Sequence, residues 1–259
     1  MLDRHVLAPS LAEILLLSAV SLVAGTIDAI GGGGGLLTVP ALLGVGLPPH
    51  LAIATNKGQS TFGSFAALVR FARGGLVDAR RAAVSFPLAI AGALAGAALA
   101  LALPPSTLRP VVIVLLALAA LFVGLRRGPP ARLEDAPAPR GALPIAAAIA
   151  LAVGAYDGFF GPGTGTFLIL AFVALLGDGL ARASAAAKVV NFASNLAALA
   201  LFAARGAVVW RIALPMAACQ LAGGWIGAHL AVRGGDAVVR RVVVVVALGA
   251  AAKLAWDLR

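Results

Sequence analysis

The chain is poor in the side chains on which most soluble chemistry depends. It has one cysteine, one tyrosine, two methionines and three histidines, and only ten acidic residues among 259. Cys219 alone can form neither an intramolecular disulfide nor a CxxC metal knuckle, which leaves it as a small apolar residue in a helix. His5, His50 and His229 have no carboxylate or second histidine at ligand spacing, so no metal site is expected. No Ser-His-Asp or Cys-His constellation stands out; no catalytic residue is assigned, and the chain reads as something other than an enzyme. No cofactor is expected either, and without a nucleotide-binding motif ATP is not the direct driver of whatever the chain does. Charged residues make up only 12% of the sequence, against about a quarter in an ordinary soluble domain.

What fills the space is apolar mass. Hydrophobic residues reach 61%, above the roughly 45–50% of soluble proteins. Runs such as Ala82–Leu103 and Pro110–Leu125 are long enough to cross about 30 Å of hydrocarbon at about 1.5 Å per residue. A net charge of +10 and a pI near 11.5 invite a nucleic-acid reading. The arginines cluster between apolar runs instead, with no basic face carrying interleaved aromatics, so nucleic acid is excluded as a partner. An excess of Lys and Arg in loops is what orients a multi-pass protein in the cell (inner or plasma) membrane, with the lipid bilayer as its partner. Leu11–Ala24, followed by Gly25, has the form of a signal peptide. The matching run Leu143–Gly154, deep in the chain, argues that both are retained helices. Trp210, Trp225, Trp256 and Tyr156 fit an interfacial belt or a core equally well.

The chain also repeats itself. Gly25-Thr26-Ile27-Asp28, the patch Gly31, Gly32, Gly33, Gly34 and Gly35, and Lys57 are answered by Gly154-Ala155-Tyr156-Asp157, the patch Gly161-Pro162-Gly163-Thr164-Gly165, and Lys188. Lys57 and Lys188 stand 131 residues apart, and the same offset relates Phe71 to Phe202, Gly92 to Gly223, Gly96 to Gly227 and Arg109 to Arg240. The expected organisation is a first membrane repeat over 1–125, a Pro/Arg-rich linker over 126–141 and a second repeat over 142–259. The fold class is an all-α polytopic integral membrane protein. The apolar segments of the first unit are Leu11–Ile30, Leu36–Val45, Leu51–Phe71, Ala82–Leu103 and Leu108–Leu125. Those of the second are Leu143–Phe160, Thr166–Leu176, Ala181–Ala203, Val208–Val232 and Ala237–Trp256. Leu36–Val45 and Thr166–Leu176 are too short to span, so each unit holds a broken, re-entrant pair plus three spanning helices. Non-helical backbone at membrane depth needs protein or a watery cavity around it, which places both patches inside. Arginine-rich and arginine-poor loops alternate, and under the positive-inside rule this predicts inverted repeats, a cytoplasmic linker and both ends outside.

Broken hydrophobic segments at matched positions of two halves point to a transport site. Five consecutive glycines should not be helical, since each costs about 1 kcal/mol relative to alanine. A break followed by a helix offers bare N–H groups and the positive end of a dipole, which together attract an anion. Close packing of small residues is the competing explanation, and it suits Gly92, Gly96, Gly223 and Gly227. Lys57 and Lys188 lie about seven residues into apolar segments, where a lysine costs about 2.5–3.5 kcal/mol at mid-helix; snorkelling to the interface is the alternative to a functional role. Thr55, Asn56, Gln59, Ser60 and Thr61 surround the first lysine. Lys188, Asn191 and Asn195 share one helix face. The candidate substrate-binding set is therefore the first patch with Thr55, Asn56, Lys57 and Gln59, and Gly161, Gly163, Thr164 and Gly165 with Lys188, Asn191 and Asn195. Asp28 and Asp157 are either salt-bridge partners of the lysines or proton carriers for coupling.

Taken together, Gly25–Gly35 with Pro40, Thr55-Asn56-Lys57, Gly161–Gly165 and Lys188 through Asn195 resemble the sulfite exporter TauE/SafE family, also called the 4-toluene sulfonate uptake permeases. The resemblance runs from about residue 11 to 257. It implies a small polytopic permease for sulfite, a sulfonate or a related sulfur or organic anion. The departure at Pro162 and Thr164 implies an asymmetric site. The sequence thus reads as a secondary transporter of a small anion bound between the repeats, as a single chain or a homo-oligomer; a non-transporting membrane scaffold or complex subunit is the alternative.

Overall fold

A computed structural model describes residues 9–125 and 141–257. Regular structure among these residues is helical throughout. The first unit forms α1 (Leu11–Gly31), α2 (Gly35–Gly44), α3 (Pro49–Arg73), α4 (Ala79–Ala102) and α5 (Pro105–Leu125). The second forms α6 (Ala142–Phe159), α7 (Thr164–Ala171), a π turn (Phe172–Leu176), α8 (Leu180–Ala204) and α9 (Trp210–Asp257). α9 is two helices fused across a kink at Gly235, where φ 55 and ψ −152 leave helical space. The gap expected between Val232 and Ala237 falls there. The expected linker lies outside the described residues apart from Gly141, as do the extreme ends of the chain.

Local chemistry sets the helix ends. Ser10 Oγ accepts the Glu13 N–H at 3.2 Å while Glu13 Oε2 accepts the Ser10 N–H at 2.7 Å, a reciprocal box that starts α1. Gly32, at φ 75, stops it. Pro49 opens α3 at a position where a missing N–H is harmless. The Asp78 carboxylate accepts the N–H groups of Arg80 and Arg81 and starts α4. Among the described residues, α1, α4, α6 and α8 are long and apolar enough to cross a bilayer. α3 is as long as α8, at 25 residues, but carries its polar cluster in its first half. α2 has ten residues, about 15 Å of helix, and with the loops around it forms the break. The surface is inside-out, with Leu15, Leu16, Val114 and Leu214 more than half exposed.

The two units exchange their packing partners. A Cβ on Gly92 or Gly96 of α4 would strike the carbonyls of Leu151 and Ala155 on α6. One on Gly223 or Gly227 of α9 would strike those of Leu22 and Thr26 on α1. Each unit's first helix thus lies against the other unit's fourth, backbone against backbone, in parallel. Between α3 and α8 the contacts run the other way. Lys57 meets Asn195, and Phe65 meets Phe192 with ring centroids 5.3 Å apart, so the lower number on one helix pairs with the higher on the other. Two apolar cores sit at opposite ends of this antiparallel pair, one built around Phe71 and the other around Phe202.

The close approach at the small-residue faces is testable by bulk. Gly96→Val and Gly227→Val should each destabilise the purified protein by roughly 1–3 kcal/mol, the usual penalty for overpacking, read as a lowered midpoint of thermal unfolding in detergent. Gly44→Ala, where an added Cβ meets nothing within 4 Å, should leave the midpoint unmoved. Equal midpoints for all three would show that these faces are not in close contact.

Candidate functional site

Both lysines are buried. Lys57 is 1% exposed and Lys188 0%, so neither snorkels. Each finds its counter-charge across the repeat boundary. Lys57 Nζ lies 2.9 Å from Asp157 Oδ1 and donates to Asn195 Oδ1 at 2.9 Å. Lys188 Nζ lies 2.6 Å from Asp28 Oδ2. The carboxylates are held from their other sides: Asp28 Oδ1 accepts the Gly34 N–H at 3.2 Å, and Asp157 Oδ2 accepts the Ser194 hydroxyl. The lysine of each unit is therefore neutralised by the aspartate of the other. Of the two roles open to the acids, the ion-pair role is the one this conformation displays.

The glycine breaks touch each other. A Cβ on Gly32 would collide with the backbone of Gly165 and Thr166, and one on Gly35 would lie 3.0 Å from Pro162 Cα. Thr166 Oγ1 donates to Gly31 O at 3.1 Å, and Ser184 Oγ to Ile30 O at 2.6 Å, so carbonyls freed at the end of α1 are satisfied by the second unit. The charged pairs sit against the same junction. A Cβ on Gly161, whose φ is +99, would stand 2.8 Å from Lys57 Nζ and 3.2 Å from Asp157 Oδ1; one on Gly165 would stand 3.4 Å from Asp28 Oδ1. The Gly34 N–H belongs to the start of α2, so a carboxylate already occupies one helix N-terminus, where its charge is favoured.

Around these groups is a cavity of about 20 Å³, room for about one water. Of the sequence-derived candidates, Gly35, Asn56, Lys57, Gly161, Gly163, Thr164, Gly165, Asn191 and Asn195 line it, together with Asp28 and Asp157. Gly31, Gly32, Gly33, Gly34 and Lys188 are not among its lining residues. Gln59 props Asn56, donating to its Oδ1 at 2.8 Å. Thr55 is used elsewhere: its hydroxyl accepts the Val209 N–H at 3.1 Å, at the turn before α9. A Cβ on Gly163 would meet the Phe167 ring and Ala119 rather than the charged groups. Sequence reasoning left Ser60, which lines the cavity, and Thr38, which donates to Asn56 Oδ1 at 2.6 Å, out of the candidate set. Ser60 could have been found one turn after Lys57; nothing in the pattern marks Thr38. Asn191 Oδ1 and Gln59 Oε1 are buried without a hydrogen-bond partner. No group of three His, Cys, Asp or Glu side chains converges among the described residues.

The crossed pairing has a direct thermodynamic signature. Lys57→Ala should cost about 3–5 kcal/mol, because it strands the Asp157 carboxylate in a dry interior. Adding Asp157→Ala should return much of that loss. Lys57→Ala combined with Asp28→Ala should show no such recovery. A double-mutant cycle built from unfolding in detergent measures this, and stronger coupling within a unit than between units would contradict the geometry.

Comparison with known proteins follows the same outline. Residues 17–254 match the sulfite exporter TauE/SafE family. The chain is 37% identical to the probable membrane transporter protein ORF9 of Sinorhizobium sp, over 93% of this chain and 92% of that one. It is 38% identical to the probable membrane transporter protein YfcA of Escherichia coli K12, over 92% and 88%. A probable membrane transporter protein of Haemophilus influenzae is 36% identical, over 94% and 95%. No solved structure matches.

Proposed function

The chain belongs to the sulfite exporter TauE/SafE family and is a multi-pass membrane transporter; from that premise we propose that it carries a small sulfur oxyanion or sulfonate, bound at the junction of its two glycine breaks. The observation that carries this reading is the pair of buried lysines, each holding a carboxylate from the opposite unit. Those carboxylates occupy the positions that an incoming anion would take. Binding is then an exchange: the anion replaces a carboxylate at a lysine and at the helix N–H groups. Protonation of the displaced acid would keep the interior neutral, since an unpaired buried charge is expensive, and this is how Asp28 and Asp157 would couple anion movement to protons. The cavity of about 20 Å³ makes the described conformation closed over its centre, so transport requires the units to part there.

The antiparallel α3 and α8 and the exchanged α1 and α4 contacts support an inverted arrangement of the units. Together with the arginine alternation, it favours a cytoplasmic α3–α4 turn, flanked by Arg70, Arg73, Arg80 and Arg81. A cysteine placed at Ala79, exposed at the start of α4, should in a Cys219→Ala background react with an impermeant maleimide only from the cytoplasm. Labelling from outside alone would reverse the orientation.

Cargo is tested by stability and flux together. A ligand at 100 times its Kd stabilises the folded state by about 2.7 kcal/mol. Purified protein should gain thermal stability with sulfite, or with a sulfonate such as sulfoacetate or taurine, and not with a matched potassium chloride control. Proteoliposomes should accumulate the same anion, and Lys57→Ala and Lys188→Ala should each lose both effects. An intact protein that neither binds nor moves any of these anions would defeat the assignment of cargo.

A further inference from the structure

The two ends of the α3–α8 pair, which the repeat would make alike, are built from opposite materials. At the end holding the α3–α4 turn there is a cavity of about 230 Å³, over ten times the volume at the buried site. Its walls include Asp78, Arg81, Ser85, Asp178, Arg182 and Val189. Arg81 Nη1 donates to both oxygens of Asp178, at 2.8 and 2.7 Å, and Arg81 Nε lies 3.2 Å from Asp78 Oδ2. The Arg81 side chain is 18% exposed and that of Asp178 7%. This ion pair ties the start of α4 to the turn between Leu176 and α8. From Arg182 to Val189, the cavity follows α8 for about 10 Å, to the residue beside Lys188.

The positions 131 residues away at the other end read differently. Val209 replaces Asp78, Ile212 replaces Arg81 and Met216 replaces Ser85; Leu47 stands for Asp178, Leu51 for Arg182 and Gly58 for Val189. Leu47, Leu51, Ile212 and Met216 are buried in one apolar core. A Cβ on Gly58 would be 2.9 Å from Ala213 Cβ and 3.2 Å from Val208 Cγ1. One end is therefore a charged vestibule and the other a dry seal, an asymmetry produced by substitutions at matched positions.

We propose that the vestibule is a second anion site, distinct from the buried one and on its solution side, at which a small sulfonate or sulfur oxyanion pairs with Arg81 and Arg182 by displacing Asp178. The cavity can hold a polyatomic anion in the conformation described, whereas the buried site cannot. A guanidinium suits such a ligand because its planar fork can meet two oxygens at once; here Nη1 alone reaches both oxygens of Asp178, while Nε faces Asp78. Displacing Asp178 also removes this tie between the start of α4 and the turn before α8, so arrival of the anion loosens the end through which it must pass. This inference rests on the reading of the cargo as a sulfur-centred anion, but its test does not require transport.

The test uses full-length protein in detergent, in a Cys219→Ala background, with one cysteine at Ser85→Cys or at its counterpart Met216→Cys. The probes are a negatively charged methanethiosulfonate bearing a sulfonate and a positively charged one bearing a trimethylammonium. Ser85→Cys should react at least tenfold faster with the anionic reagent than Met216→Cys does, and methanesulfonate should slow that reaction. Asp178→Asn, which removes the carboxylate facing Arg81 Nη1, should raise the anionic-to-cationic rate ratio at Ser85→Cys. Arg81→Gln should lower it, and Arg81→Gln added to Asp178→Asn should lower it relative to Asp178→Asn alone, a comparison that leaves Asp178 unstranded if the single arginine change folds poorly. Equal rates at the two cysteines, a ratio indifferent to these changes, or no slowing by methanesulfonate would overturn the vestibule site. A charge-selective, methanesulfonate-protected Ser85→Cys in a protein that transports no sulfur anion would uphold the vestibule and reject the cargo.

Discussion

Two lysines buried in an apolar protein are the constraint around which this structure is arranged. A lone ammonium in such an interior is untenable, and each unit carries its own aspartate ahead of its lysine, Asp28 before Lys57 and Asp157 before Lys188. Yet the pairs form across the boundary, Lys57 with Asp157 and Lys188 with Asp28. Crossed pairing makes the halves interdependent: neither unit is electrically satisfied without the other. It also puts the only two such pairs described at the helix breaks into the place where the units separate if the centre is to open. The interaction that stabilises the closed form is thus the one that the proposed anion would have to replace.

Backbone proximity makes this possible. Only glycine at Gly32 and Gly165 lets the two breaks touch, and only glycine at Gly161 leaves room beside Lys57 Nζ. The glycine pairs on α4 and α9 do the same work at the flanks, drawing α6 and α1 in until carbonyls face Cα atoms. Helix packing at the flanks and contact between the two breaks are therefore separate uses of glycine at separate places in one fold. The described state leaves about 20 Å³ at the centre, while the charged end stays open and the apolar end is filled. Such an arrangement resists leakage, since a passage is blocked in the middle and sealed at one side.

Much of the fold was legible before any coordinates. Apolar runs marked the helices to within a few residues because a membrane helix must satisfy its backbone internally, and five glycines followed by a short run marked a break. The shared face of Lys188, Asn191 and Asn195 followed from helical spacing alone. What the pattern could not supply was partner choice. Whether Asp28 serves Lys57 or Lys188 depends on how the units interlock, and no spacing along one chain encodes that. Thr55 shows a second limit: two residues before Lys57, it faces the α9 turn and binds Val209 N–H, because neighbours on a helix point about 100° apart. Thr38 was invisible for a different reason. It reaches Asn56 from α2, and the second unit has no matching hydroxyl to call attention to it.

The central claim is that an anion takes over the lysines from the carboxylates. A crystal structure of the protein with 2-bromoethanesulfonate tests it most directly, because anomalous scattering locates bromine without interpretation of weak density. The account predicts a bromine signal at the junction of the two glycine breaks, with the sulfonate within hydrogen-bond reach of Lys57 or Lys188 and the corresponding aspartate withdrawn. Bromine bound elsewhere, or nowhere at saturating ligand, with both lysine–aspartate pairs intact would contradict it.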